Sequence, residues 1–244
     1  MQRRSLLLAA AALPVAAGVP EIVQTARASV LPIGRFDPLA SPRFGFRGTA
    51  FVVGDGRQVI TCDHVVPAGE TPAWVLQRPL PDGGQEWRRL DLRARDPAHD
   101  LALLALDGEP LPALALARDD APREGQDVLV MGFPIGGVLG FQPVTHRGMV
   151  SSIAPQALPA ANAAALRDTG IAALRRGTFD ILQLDATAYP GNSGGPVLDA
   201  ATGQVLGVVN MVLARGREAA LSAPSGISYA IPGRWVRALL ERAR

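Results

Sequence analysis

Short runs of alternating or continuous apolar residues, each closed by glycine, proline or aspartate, succeed one another along most of the chain and predict strands rather than helices. Gly48–Val53 and Gln58–Cys62 are β-branched runs joined by Gly54-Asp55-Gly56-Arg57, which reads as a hairpin whose second strand ends in Asp63-His64-Val65-Val66. Trp74–Gln77 predicts a further strand. After Pro81-Asp82-Gly83-Gly84, Glu86–Ala94 alternates apolar with charged residues and suits a strand with one wet face. Asp96-Pro97-Ala98-His99-Asp100 then turns into the unbroken apolar run Leu101–Leu106. The turn signals around that run favour a buried strand over a short core helix, and they set Asp100 at a boundary where its carboxylate can be largely buried.

Strands restart at Gln126–Gly132 and continue through Phe141–Ile153, and, after the segment Leu182–Leu198, through Gln204–Val212 and Ile227–Pro232. An amphipathic helix from Arg234 to Arg242, with Trp235, Val236 and Leu239 on its packed side, closes the pattern. Proline- and charge-rich stretches at 107–112 and 119–125 place a boundary near 118–124. The expected organisation is a first unit at 43–118, a linker at 119–124, a second unit at 125–232 and a helical end at 233–244. Residues 29–42, punctuated by Pro32, Pro38 and Pro42, read as an extended arm. Residues 154–179 break the rhythm, and the alanine-rich Ala161–Arg176 inside them suits a short helix or a loop.

Composition agrees with an all-β reading, since 26 Gly and 21 Pro among 244 residues supply many tight turns. Met1-Gln2-Arg3-Arg4-Ser5 followed by the apolar Leu6–Ala17 is built like a secretory leader, and Arg3-Arg4 also suits a twin-arginine signal. Ala26-Arg27-Ala28 offers a cleavage site before Ser29, so residues 1–28 are expected to be the leader. Its apolar run is shorter than the ~20 residues a bilayer span needs, so no stable membrane insertion is expected once it is removed. Removal takes away Arg3, Arg4 and Arg27 but only one acid, Glu21, and brings the formal net charge from +2 to neutral. A neutral chain gives no electrostatic case for nucleic acid or an anionic membrane as partner. Cys62 is the only cysteine, which excludes an intramolecular disulfide. Export without disulfides fits the periplasm of a bacterium or secretion from it. In its apolar strand, Cys62 reads as a small buried core residue. With three histidines so widely spaced, no metal site and no cofactor are expected.

Chemistry concentrates at Pro190-Gly191-Asn192-Ser193-Gly194-Gly195-Pro196. A serine among glycines is either a turn between two strands or a nucleophile whose hydroxyl and neighbouring amides lie open to a carbonyl group. His64, Asp100 and Ser193, each at the end of a strand-like run, supply a general base, an orienting carboxylate and a nucleophile in that chain order. An α/β-hydrolase would need its histidine after the serine, and none follows His146. The acids upstream of His64 sit in turns, not in the strand and helix alternation of a subtilisin-type order. The order that survives is that of the two-barrel, chymotrypsin-like peptidases. His99 and His146 are expected to be surface or packing residues.

Four segments, Thr61-Cys62-Asp63-His64-Val65-Val66, Asp96–Leu104, Gly132-Phe133-Pro134-Ile135-Gly136 and Asp185–Pro196, closely resemble the trypsin-like domain of the Deg/HtrA serine peptidases, as does Ser228-Tyr229-Ala230-Ile231-Pro232. The resemblance is collinear over roughly residues 45–240. It implies two six-stranded β-barrels with the active site in the cleft between them and a C-terminal helix. It also implies His64 as general base and acid, Asp100 as its orienting carboxylate, Ser193 as nucleophile, and the Gly191 and Ser193 amides as the oxyanion hole. The S1 pocket would be lined by Thr187, Ala188 and the strand residues Val209, Asn210, Met211 and Val212. Thr187 occupies the place, six before the serine, where trypsin-type peptidases keep an aspartate. A preference for small or aliphatic P1 residues in unfolded or exposed protein segments follows. Deg/HtrA proteins usually append PDZ domains, whereas this chain stops after one helix, and residues 154–179 are longer than the usual activation-loop region. The partners implied are protein or peptide substrates; the alternative on the same fold is a catalytically silent peptide-binding or chaperone-like module.

Overall fold

A computed structural model describes residues 18–69, 73–80, 82–118, 122–136, 140–155, 179–210 and 226–244. Two closed antiparallel barrels of six strands each make up the body of the protein. The first contains β1 (Val30–Phe36), β2 (Phe44–Val53), β3 (Gln58–Cys62), β4 (Ala73–Pro79), β5 (Gln85–Asp96) and β6 (Leu101–Leu106), ordered β1-β2-β3-β6-β5-β4 and closed by pairing of β4 with β1. The second contains β7 (Asp127–Gly132), β8 (Val144–Pro155), β9 (Asp180–Asp185), β10 (Pro196–Asp199), β11 (Val205–Val209) and β12 (Ile227–Pro232), ordered β10-β11-β12-β9-β8-β7 and closed between β10 and β7. Helix α1 (Val19–Ala26) precedes the first barrel and helix α2 (Gly233–Arg242) follows the second. All-β architecture with two six-stranded barrels and a closing helix is what the sequence predicts.

The local reasons are visible strand by strand. Gly54 and Gly56 take φ of 64° and 85°, which lets the β2–β3 connection turn tightly enough to pair Val53 with Gln58. β5 does not divide cleanly into a wet and a dry face, with Trp87 and Leu92 exposed and Asp96 buried, while β6 is almost wholly buried against β3 and β5. One continuous apolar cluster joins both barrels: Phe51, Ile60 and Leu104 from the first meet Leu129, Met131, Val208 and Ile231 from the second, with Val236 and Leu239 of α2 packed on it. The segment between the barrels is laid across both, with Leu114 N–H donating to Val52 O at 2.8 Å and Ala117 N–H to Val205 O at 3.0 Å.

One expectation at the N-terminal side is corrected, and a helix lies within the expected leader. Residues 30–36 are no arm but strand β1, with Val30, Leu31 and Ile33 buried. The prolines mislead because Pro32 lies opposite Thr49, whose N–H turns away from it to the Ser193 carbonyl at 2.9 Å; at such a non-hydrogen-bonded position a missing donor costs nothing. Residues 18–28, assigned to the leader, contain α1. Its Ile22 and Ala26 are buried in the shared core, and Ile22 packs over the Gly203 turn of the second barrel. Residues 1–17 and the alanine-rich 161–176 lie outside the described residues.

Candidate active site

Strand β3 ends in a 3₁₀ turn, Asp63–Val65, that lifts His64 to the edge of the first barrel. The β5–β6 turn brings Asp100 beside it, with Asp100 at φ 51°, a left-handed conformation that aspartate tolerates better than most residues. Three bonds join the two turns. Asp100 O accepts from Asp63 N–H at 3.1 Å, Asp100 Oδ1 from His64 N–H at 2.9 Å, and Asp100 Oδ2 lies 2.6 Å from His64 Nδ1. With the carboxylate there, the neutral ring carries its proton on Nδ1, which leaves the Nε2 lone pair as the basic site. Arg95 Nε braces the same turn through Asp63 Oδ1 at 2.6 Å.

Asn210 completes the carboxylate's shell. Its Nδ2 donates to Asp100 Oδ2 at 2.7 Å and the residue is 2% exposed. The sequence assigns Asn210 to a substrate wall; its side chain instead turns to the carboxylate from the end of β11. Val209 is fully buried, its amide and carbonyl paired with Gly195 O and Gly194 N–H, so its side chain belongs to the core of the second barrel. Met211 and Val212 lie outside the described residues.

Ser193 sits on the loop between β9 and β10, 7% exposed. Glycines beside it are there because backbone fills the space a Cβ would take. At Gly191, φ 105°, a Cβ would come 2.2 Å from Phe133 O, and at Gly194, φ 86°, 2.2 Å from Thr49 O. Thr49, fully buried on β2, ties this loop to the first barrel: its Oγ1 donates to Gly191 O at 2.7 Å and accepts from Phe133 N–H at 3.1 Å, while its N–H donates to Ser193 O. Pro190 O accepts from Ile135 N–H at 2.8 Å. In a trans peptide the N–H points opposite to the C=O, so the Gly191 N–H is turned to the side of its peptide away from Ile135. No signal in the sequence marks Thr49 or the Asn210 contact, because each depends on two distant segments meeting.

Cys62 Sγ, His64 and Asp100 place possible metal-ligating atoms within 4.8 Å of one another. The bonding describes a hydrogen-bonded pair, not a metal centre. The Nδ1–Oδ2 contact is too short to bracket an ion, burial pushes the Cys62 thiol well above its ordinary value, and Sγ donates to Val209 O at 3.3 Å. Thr187 and Ala188 are half-buried; Thr187 borders a cleft of about 370 Å³ with Gly226 and Met149, rimmed by Asp127, Arg147 and Asp185. His146, on β8, is partly buried, and desolvation pushes its pKa down. His99 is a packing residue stacked on Trp235.

The family described as the trypsin-like peptidase domain matches residues 48–208. A probable periplasmic serine endoprotease, DegP-like, of Pseudomonas fluorescens is 30% identical over 189 residues, which is 76% of this chain and 32% of that protein. The mitochondrial serine protease HTRA2 of Bos taurus is 32% identical over 196 residues, 80% of this chain and 36% of that protein. The chain thus spans about a third of the length of these relatives. A crystal structure of the serine endoprotease from Yersinia pestis shares the fold, with a TM-score of 0.64 at 22% identity over 94% of this chain and 67% of that one.

Proposed function

We propose, from the premise that this chain belongs to the family of trypsin-like peptidase domains and has Deg/HtrA relatives, that it is an exported serine endopeptidase. The observation that carries the reading is the His64–Asp100 pair at 2.6 Å, held from a third side by Asn210. In this reading Ser193 Oγ attacks the scissile carbonyl carbon while His64 Nε2 takes its proton. Asp100 stays ionised and stabilises the imidazolium that forms. The tetrahedral oxyanion is received by the N–H groups of Gly191 and Ser193, and the orientation of the Pro190–Gly191 peptide supports that role for Gly191. Collapse of this intermediate breaks the C–N bond and passes the proton from His64 to the leaving amine. Water, activated by His64, then attacks the acyl carbon and frees Ser193.

Substrates on this reading are exposed or unfolded protein segments. Thr187 and Ala188 offer a P1 side chain no carboxylate, which favours small or aliphatic residues over Arg or Lys. Export is supported by the basic, then apolar, leader-like start at Met1–Ala17 and by the periplasmic designation of relatives. The test is a fluorogenic peptide series varying only P1, run beside labelling by a sulfonyl fluoride with Ser193→Ala as control. Val or Ala at P1 is expected to exceed Arg by about tenfold or more in kcat/KM, with the label on Ser193. Intact Ser193 that neither labels nor cleaves casein would make the protein a silent peptide-binding module.

A further inference from the structure

The turn that supplies Asp100 is fastened at its far end to elements remote in sequence. Asp96, the last residue of β5, is 6% exposed, and its Oδ2 accepts from Arg242 Nη2 at 2.5 Å on the last turn of α2. The same oxygen lies 2.9 Å from His99 Nδ1, and the Asp96 carbonyl and Oδ1 both accept from His99 N–H, at 3.2 and 3.3 Å. His99 in turn stacks on Trp235 of α2, with ring centroids 3.6 Å apart and planes at 19°. Phe179, just before β9 of the second barrel, meets the other rings edge-on, 4.7 Å from His99 and 6.0 Å from Trp235. Trp235 and Arg242 are seven residues apart, two turns of helix, and therefore share one face of α2.

The residue that follows His99 is Asp100, at positive φ. A non-glycine residue in that region is held there only where its surroundings over-determine it. The short bonds to His64 fix one side of Asp100, and the clamp on Asp96 and His99 fixes the other. From this geometry we infer that Asp96, His99, Trp235 and Arg242 form a positioning device through which the C-terminal helix sets the orientation of the Asp100 carboxylate toward His64. These are positioning residues, since none of them touches the reacting atoms. The inference rests on the peptidase reading for its kinetic consequence, though not for its structural one.

Both consequences can be read on the full chain. Arg242 is more than half exposed, so Arg242→Ala keeps the fold; Asp96→Asn tests the buried partner. For Arg242→Ala, kcat is expected to fall by about tenfold with KM within about twofold, and Arg242→Lys to recover part of the loss. The proton on His64 Nδ1, shifted far downfield in the ¹H NMR spectrum by its bond to Asp100, is expected to broaden or move upfield in Arg242→Ala and Asp96→Asn. Leu240→Ala, which truncates a buried residue of α2 packed near the inter-barrel segment, is expected to lower the melting temperature while leaving kcat and that resonance unchanged. An Arg242→Ala protein with wild-type kcat and an unmoved resonance would overturn the inference, as would loss of the resonance in Leu240→Ala. A wild-type protein that shows the resonance but neither labels at Ser193 nor turns over would sink the peptidase reading alone, because the response of that resonance to Arg242→Ala and Asp96→Asn still tests the clamp.

Discussion

Asp100 is the residue on which most of the site's bonds converge, and the structure gives each of its oxygens a partner: Oδ1 the His64 amide, Oδ2 both the imidazole and Asn210. A carboxylate so held cannot rotate away from the ring. Asn210→Ala removes a buried hydrogen bond to a carboxylate, a loss of about 1.5–3 kcal/mol in what holds Asp100 against His64. Steady-state kinetics on that variant are expected to show kcat/KM lower by roughly tenfold to a hundredfold, carried mainly by kcat. A change confined to KM would return Asn210 to a substrate wall. His64, Asp100 and Ser193 were legible as candidates because each sits in a short pattern of its own. From the sequence Asn210 reads as part of a substrate wall, since its contact with Asp100 is created by β11 meeting a turn 110 positions earlier.

Among the elements, strands were read well wherever alternation or a closed apolar run spoke for itself, as in β2, β3, β6 and β7. β1 was missed because proline punctuation outweighed a weak apolar pattern, and α1 because its residues follow a leader-like run. The packing of Ile22 and Ala26 in the shared core predicts that α1 stays with the body where a leader is removed. Cleavage before Ser29 would strip Ile22 and Ala26 from the shared core and uncover the Gly203 turn. Burial of an isoleucine side chain alone is worth about 1.5–3 kcal/mol. Processing is therefore expected upstream of Gly18, where Val15-Ala16-Ala17 offers a small-x-small site. N-terminal sequencing of the exported protein checks the position, and a chain begun at Ser29 is expected to melt several degrees lower, about 2–8 °C. A mature chain starting at Ser29 with an unchanged melt would refute the retained helix.

For the molecule as a whole, two carboxylates make the fold sensitive to acid. Burial opposes ionisation of Asp96, but the bonds from Arg242 and His99 outweigh it and hold the carboxyl below its ordinary 3.8. At Asp199, at the end of β10, burial is likewise outweighed, there by Gln126, Thr202 and Ala201. Both carboxylates bind fewer protons folded than unfolded in that range. Their contribution is thus complete above the ordinary value and is lost as the pH falls through the lowered ones. Denaturant melts between roughly pH 5 and pH 2 are expected to show steadily falling stability, with a shallower fall in Arg242→Ala. An equal slope in that variant would remove Asp96 from the account. At this scale the barrel count and the order of the candidate residues were legible, while the docking of the barrels was not, because it rests on contacts such as Thr49 with the Ser193 loop that no local pattern encodes.

That Thr49 junction also bears, on the peptidase reading, on when the chain could first cut itself. His64 and Asp100 come from one barrel and Ser193 from the other, and the Ser193 loop takes its shape from bonds to β2 across the junction. A half-folded chain would hold a serine and a histidine that have not met. On the peptidase reading, cutting power requires the two barrels to be docked, so a chain whose barrels have not met is spared from digesting itself.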